Sequence, residues 1–215
     1  MGRHPANIVF LVADAFGVLP LVSRLTPEQA MYHFMAGYTA RVAGTERGVT
    51  EPQAAFSACF GAPFLPLRPV EYAKLLRGKL ARHGSQVWLV NTGWVGGPAG
   101  VRERVKSPYT RAMITACLDG TLATGAFTQD PVFGLSVPQQ CPGVPAELLR
   151  ARDLWSDGSA YDAQATDLAA RMHEAFAKFE QDVEPAVRAA GPPAGRGVAV
   201  RARAGRGAVE SPSAG

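Results

Sequence analysis

Asn7-Ile-Val-Phe-Leu-Val-Ala-Asp-Ala-Phe-Gly17 is the stretch that decides the fold class. From Ile8 to Ala13 it is continuously apolar, rich in β-branched side chains, short and without alternation. That is the pattern of a strand buried on both faces. Asp14 and Gly17 then turn the chain and place a polar loop where the strand ends. A strand buried on both faces needs helices on both sides of its sheet, and helix signals follow. Thr26-Pro-Glu-Gln29 is a helix start, with Thr26 as cap, Pro27 at the first helical position and Gln29 able to reach back. Ala30, His33, Phe34 and Tyr38 continue it at helical spacing. Pro69–His83 predicts a second helix with Tyr72, Leu75, Leu76 and Leu80 on its apolar face. Ser85–Val90 predicts a second strand, turned by Asn91-Thr-Gly-Trp94, and Phe56–Leu67 a short strand before a turn. Gly96, Gly97, Pro98 and Gly100 mark a loop, Tyr109–Leu118 a third helix stopped by Asp119-Gly120, and Phe127–Pro145 a loop-rich segment. Tyr161 to Glu180 reads as a long last helix with Leu168, Met172, Phe176 and Phe179 on one side. Strands alternating with helices predict an α/β fold, a mixed sheet with flanking helices and ligands at the strand ends.

The chain has 215 residues, 47% hydrophobic and 19% charged, and a formal charge of +4. This composition excludes a collagen, a coiled coil and an acidic tail protein. Residues 184–215 hold five arginines against Glu184 and Glu210, a surplus of +3, which leaves only +1 on residues 1–183. The same 32 residues are mostly Ala, Gly, Pro and Arg, without an aromatic residue, Leu or Ile, and cannot bury enough surface to fold. The expected organisation is therefore a folded body over 1–183 and a Gly/Ala/Arg-rich disordered tail over 184–215. Cys59, Cys117 and Cys141 form no CxxC pair and no even framework, which favours a reduced, cytoplasmic chain. Apolar runs such as Ile8–Ala13 are too short to span a bilayer, and the N-terminus lacks the long apolar run of a signal peptide.

Few patterns carry chemistry on their own. His4, His33, His83 and His173 have no ligand-like spacing, so no metal site is expected, and His33 on an apolar helix face reads as a satisfied core residue. No Walker A sequence exists; Gly78-Lys79-Leu80 lacks both the hydroxyl residue and the leading glycine. The Gly44–Pro52 segment, with Arg47 between Glu46 and Gly48, reads either as a solvated turn or as a lid over an anionic substrate. Arg102, Arg104 and Lys106 read either as an exposed basic strip or as an arginine plane stacked on a base, with Thr110 at the base edge.

Longer motifs add a resemblance. Ile8-Val-Phe-Leu-Val-Ala-Asp-Ala-Phe-Gly-Val-Leu-Pro20, Ala43-Gly-Thr-Glu-Arg-Gly-Val-Thr-Glu-Pro52, Phe56-Ser-Ala-Cys-Phe-Gly61, Leu89-Val-Asn-Thr-Gly-Trp94 and Tyr109-Thr-Arg-Ala112 closely resemble the ATP-dependent phosphoenolpyruvate carboxykinases. The likeness runs in order from about His4 to Gly191 and covers the C-terminal third of that family's usual chain. It implies the nucleotide-side part of that fold, truncated at the N-terminus. It also implies a reaction, oxaloacetate and ATP to phosphoenolpyruvate, ADP and carbon dioxide in gluconeogenesis, with ATP carried with Mg, and with Mn. The phosphate loop, the manganese ligands and the oxaloacetate-gripping residues of the family lie upstream of Met1, so no catalytic residue and no metal ligand carries over. The adenine-side pattern falls on Arg104, Val105 and Thr110, and the mobile lid on Arg47. Glu103 departs from the lysine usual before that arginine, and an acid there weakens affinity for a triphosphate.

The expectation is thus a carboxykinase portion that is inactive alone and binds nucleotide weakly. Two alternatives stay open: a non-catalytic module complementing a separately encoded N-terminal half, and a basic-tailed nucleic-acid binder, ranked last because the tail lacks stacking groups. The abrupt start, the tail, and 18 Arg against 4 Lys also fit a truncated or frame-shifted gene model.

Overall fold

A computed structural model describes residues 4–41 and 52–193. Its centre is a five-stranded sheet in the order β1-β5-β2-β7-β6. These strands are β1 (Asn7–Val12), β5 (Gln86–Asn91), β2 (Val22–Leu25), β7 (Ser136–Pro138) and β6 (Phe127–Gln129). β1 and β5 run parallel, from Asn7 opposite Gln86 to Val12 opposite Asn91. β2 runs antiparallel to β5, and β7 and β6 follow antiparallel. β3 (Tyr38–Arg41) and β4 (Gln53–Phe56) form a separate antiparallel pair.

Helices cover both faces. On β5, Val87 and Leu89 join the cluster of Phe10, Val12, Leu168 and Met172, while Trp88 and Val90 join that of Leu21, Met113, Cys117 and Leu122. This is the two-residue alternation of a strand set between two layers. α1 (Pro27–Ala36) and α4 (Gly158–Ala177) lie on the first side, α3 (Ser107–Leu118) on the second. The start of α1 has the capping box expected of it: Thr26 Oγ1 accepts from the Gln29 amide and Gln29 Oε1 from the Thr26 amide, both at 3.1 Å. α4 keeps the expected apolar stripe, with Leu168, Met172 and Phe176 buried, but ends at Ala177, so that Phe179, also buried, lies in the turn after it.

Several details correct the sequence reading: Tyr38, expected on the first helix, begins β3, and of Phe56–Leu67, expected as a short strand, only Phe56 is in a strand, with 3-10 turns following. α2 (Pro69–His83) has the expected bounds and buries Leu80 as expected, but turns Val70 and Ala73 inward as well and leaves Leu75 58% exposed. It packs against α1 and the 3-10 turn Ala58–Phe60, where small side chains let the backbones approach. β2 has no counterpart in the predicted elements, because four residues with Ser and Arg inside give no strand pattern. The chain also stays ordered beyond 184. α5 (Pro185–Arg188) buries Val187, Glu184 pairs with Arg77 at 2.6 Å, and the Pro192 carbonyl meets His173 Nε2 at 2.9 Å. The first ten residues assigned to the tail therefore dock on the body through the buried Val187, Gly191 and Pro192, which composition averaging conceals. Residues 194–215 lie outside the described residues.

Candidate functional site

β1 and β5 are parallel neighbours, so their carboxyl ends open at the same edge of the sheet, where ligands of α/β folds bind. Two buried polar residues knit the loops there. The Asp14 carboxylate accepts the amides of Phe16 at 2.9 Å, Val18 at 2.8 Å and Leu19 at 2.8 Å, and the Tyr38 hydroxyl at 2.7 Å. Asn91 Oδ1 accepts the amides of Asp14 and Gly93, while Nδ2 donates to the carbonyls of Leu19 and Trp94. Both residues are fully buried. Directed donors there replace the water that burial removes from the Asp14 side chain. Burial first, and then the Asp14 charge, push the Tyr38 hydroxyl well above the ordinary phenol range. A Cβ on Gly93 would overlap the Asp14 backbone, so the close contact of the two loops requires glycine.

This hub sets the next layer. Thr92 follows Asn91, and its carbonyl accepts Arg104 Nε at 2.7 Å while its hydroxyl accepts Arg104 Nη2 at 3.3 Å. The Val105 amide donates to the Gly93 carbonyl at 2.8 Å. The Arg104 guanidinium carbon lies 5.9 Å from the centre of the Trp94 ring. The edge of Arg104 is thereby fixed to the exit of β5. Thr92, Arg104, Val105, Ser107, Thr110 and Arg111 line a cavity of about 390 Å³.

Of the residues singled out by sequence, Arg104, Val105 and Thr110 come together around this cavity. Arg47 lies outside the described residues. Glu103 borders an adjoining cavity of about 380 Å³ with Val95, Val101 and Tyr109, and does not line the one that holds Thr110. Arg102, grouped with Arg104 in the sequence, turns elsewhere and donates to the carbonyls of Gly96 at 3.2 Å and Leu154 at 3.1 Å. His33 is a core residue, but it is not satisfied: its Nε2 has no partner, and burial lowers its pKa to about 4. Asp14 and Asn91 were missed as site-building residues; the sequence signal is a polar residue closing each apolar run, after Ala13 and after Val90.

A larger cavity of about 490 Å³ lies between the β6–β7 hairpin and the 3-10 turns at 146–154, bordered by Pro20 of the loop after β1. Its arginines, Arg150 and Arg152, are neutralised by Asp153 and Asp162. Among the described residues, no three His, Cys, Asp or Glu side chains gather as a metal site requires.

A family profile described as phosphoenolpyruvate carboxykinase matches residues 1–147. The chain is 58% identical over 187 residues to the phosphoenolpyruvate carboxykinase (ATP) of Geotalea uraniireducens, which covers 87% of this chain and 35% of that protein. It is 57% identical over 192 residues to phosphoenolpyruvate carboxykinase (ATP) 2 of Moorella thermoacetica, covering 89% of this chain and 36% of that one. For the Geobacter metallireducens protein of the same name the figures are 58%, 87% and 35%. The chain thus spans about a third of the length of these curated relatives.

Proposed function

The chain belongs to the ATP-dependent phosphoenolpyruvate carboxykinase family, and from that premise we propose that the cavity beside Arg104 receives the adenosine end of ATP. The observation that carries this reading is the gathering of Arg104, Val105 and Thr110 around one cavity with Thr92. Arg104 has one edge fixed on Thr92, which leaves its plane for a base to stack upon. Val105 supplies an apolar wall. Thr110 has a hydroxyl that both donates and accepts, as an adenine edge demands.

The whole family reaction is the decarboxylation of oxaloacetate to an enolate and carbon dioxide. The enolate oxygen then attacks the γ-phosphorus of ATP, the bond to the β-phosphate oxygen breaks, and ADP leaves with phosphoenolpyruvate formed. This chain's share is to hold and orient the nucleotide. A divalent cation, Mg with ATP and Mn in the full enzyme, would neutralise the developing charge. The described residues offer no ligand cluster for it, so no step through a metal is assigned to them. Gluconeogenesis in the cytoplasm is the setting this reading implies; among the described residues no helix is long and apolar enough to cross a membrane.

Alone, the chain is inactive and binds nucleotide weakly. Purified protein with oxaloacetate, ATP and manganese is expected to form no phosphoenolpyruvate above a boiled control, and formation would overturn the inactivity. Calorimetry should give ATP affinity weaker than micromolar, reduced further in Arg104→Ala and Thr110→Val. Equal affinity in both variants would remove the base-binding role.

One observation favours a second reading, a module completed by a separately supplied upstream half. β1 pairs only with β5 among the described strands, and its Leu11 is 54% exposed, an edge open to a further strand. Co-expression with the upstream two thirds of a relative should yield a co-purifying, active complex; separate elution would exclude it.

A further inference from the structure

The cavity of about 490 Å³ has the size of a small-molecule site, and it shares no lining residue with the one beside Arg104. Pro20, Val137, Pro138, Leu149 and the Tyr161 ring give it apolar walls. The charged residues of its lining are Asp130, Arg150, Arg152 and Asp153. Arg150 donates to Asp153 at 2.9 Å, and Arg152 grips Asp162 through Nε and Nη2 at 2.8 and 2.9 Å. Three carboxylates thus stand against two guanidiniums, and Asp130 is the one left over.

Asp130 follows β6 and is half-buried. Its Oδ1 accepts the amides of Val132 at 2.9 Å and Phe133 at 2.6 Å, which satisfies the turn of the hairpin. The polar groups around it give their donors to other acceptors. The Tyr161 hydroxyl donates to the Val18 carbonyl, the Gln129 side-chain amide to the Gly134 carbonyl, and that of Gln139 to Thr128 Oγ1. Burial pushes the Asp130 pKa up against the pull of its two backbone amides. A desolvated carboxylate beside apolar walls is stabilised by a cation. An anion would meet Asp130 and Asp153 together, and a hydrated inorganic ion would lie against carbon. An organic ammonium answers both conditions, with its charge at Asp130 and its carbon body on Pro20, Val137 and Leu149.

We propose that this cavity binds a small organic amine, its ammonium group donating to the Asp130 carboxylate and its apolar body filling the space between the β6–β7 hairpin and the 3-10 turns. The site stands apart from the nucleotide reading, and neither depends on the other.

The test is an NMR titration of the full 215-residue chain at neutral pH with three probes of one carbon body: phenethylamine, the neutral phenethyl alcohol and the anionic phenylacetate. The amine should shift the amides of Gln129, Val137 and Leu149, and should bind about tenfold more tightly than the alcohol. Asp130→Asn keeps an oxygen for the Val132 and Phe133 amides; it should cut amine affinity about tenfold and leave alcohol affinity unchanged. Ala146→Trp, at the exposed rim of the cavity, should weaken amine binding without altering a charge. Thermal melts check that each variant is folded. If Asp130→Asn fails to melt cooperatively, Ala146→Trp decides, weakened amine binding upholding the proposal and unchanged binding overturning it. Equal affinity for amine and alcohol would overturn it, as would tighter binding of phenylacetate, amide shifts confined to another region, or a parent chain that does not bind the amine.

Discussion

The Asp14–Asn91 hub and the Arg104–Arg111 rim are built on opposite terms. In the hub, two fully buried polar side chains meet donors and acceptors from the loops after β1 and β5. At the rim, exposed cations sit on a cavity wall, one held by Thr92 and the Trp94 ring and the other by no hydrogen bond, ion pair or ring contact with a described residue. The hub stores stability and the rim stores unspent binding capacity. They are joined through the Thr92 and Gly93 carbonyls, so a rigid interior places an exposed, reactive edge.

The sharpest way to break this contrast is Asp14→Ala. Three amides and the Tyr38 hydroxyl would lose their acceptor together, an expected loss of about 3–5 kcal/mol. Urea denaturation followed by circular dichroism measures it, and a loss below about 1 kcal/mol would mean that the hub is not what holds the loops.

The second break uses the one discordant group beside the hub. His33 shares a small apolar space with Val12, Leu19 and Tyr38, and its pKa is lowered from 6.5 to about 4 by burial. The unfolded chain therefore binds the proton first as pH falls below 6.5. This penalty grows down to about pH 4 and is constant below it, about 3 kcal/mol in total. Stability measured from pH 7 to 4 should show this slope, and His33→Gln should flatten it. An unchanged slope would locate the acid sensitivity elsewhere.

Smaller effects sharpen the comparison. Tyr38→Phe removes one of four donors to a charged acceptor, for an expected loss of about 1.5–3 kcal/mol by chemical denaturation. Arg104→Ala, on the rim, should change stability by less than about 0.5 kcal/mol while lowering nucleotide affinity. If Arg104→Ala destabilised the fold as much as Tyr38→Phe, the division between scaffold and edge would collapse.

Local signals made the long elements legible. β1, β5, the capped start of α1, the bounds of α2 and the buried stripe of α4 all follow from apolar periodicity and caps. β2 was not legible, because its four residues become a strand only by lying between β5 and β7. The inward face of α2 was misread through Leu75, since nothing local reveals that α1 will press on Val70 and Ala73. Packing of residues 184–193 was hidden for a similar reason: Val187 counts for little in a composition but fills a place in a core.

For the site, Arg104, Val105 and Thr110 were legible because a motif keeps them within seven consecutive residues. Asp14 and Asn91 stand 77 residues apart, and only the parallel register that sets Val12 opposite Asn91 brings them together. The sequence by itself therefore determined the family, the alternation of strands and helices, and the short motif whose residues gather around one cavity. These are written in neighbouring residues, whose spacing and propensity act locally. The tertiary structure alone decided that a buried carboxylate would organise two distant loops, and that Arg102 and Arg104, two residues apart, would take different partners. Burial and hydrogen-bond satisfaction depend on what surrounds a side chain, and in this fold most of those surroundings come from elsewhere in the chain.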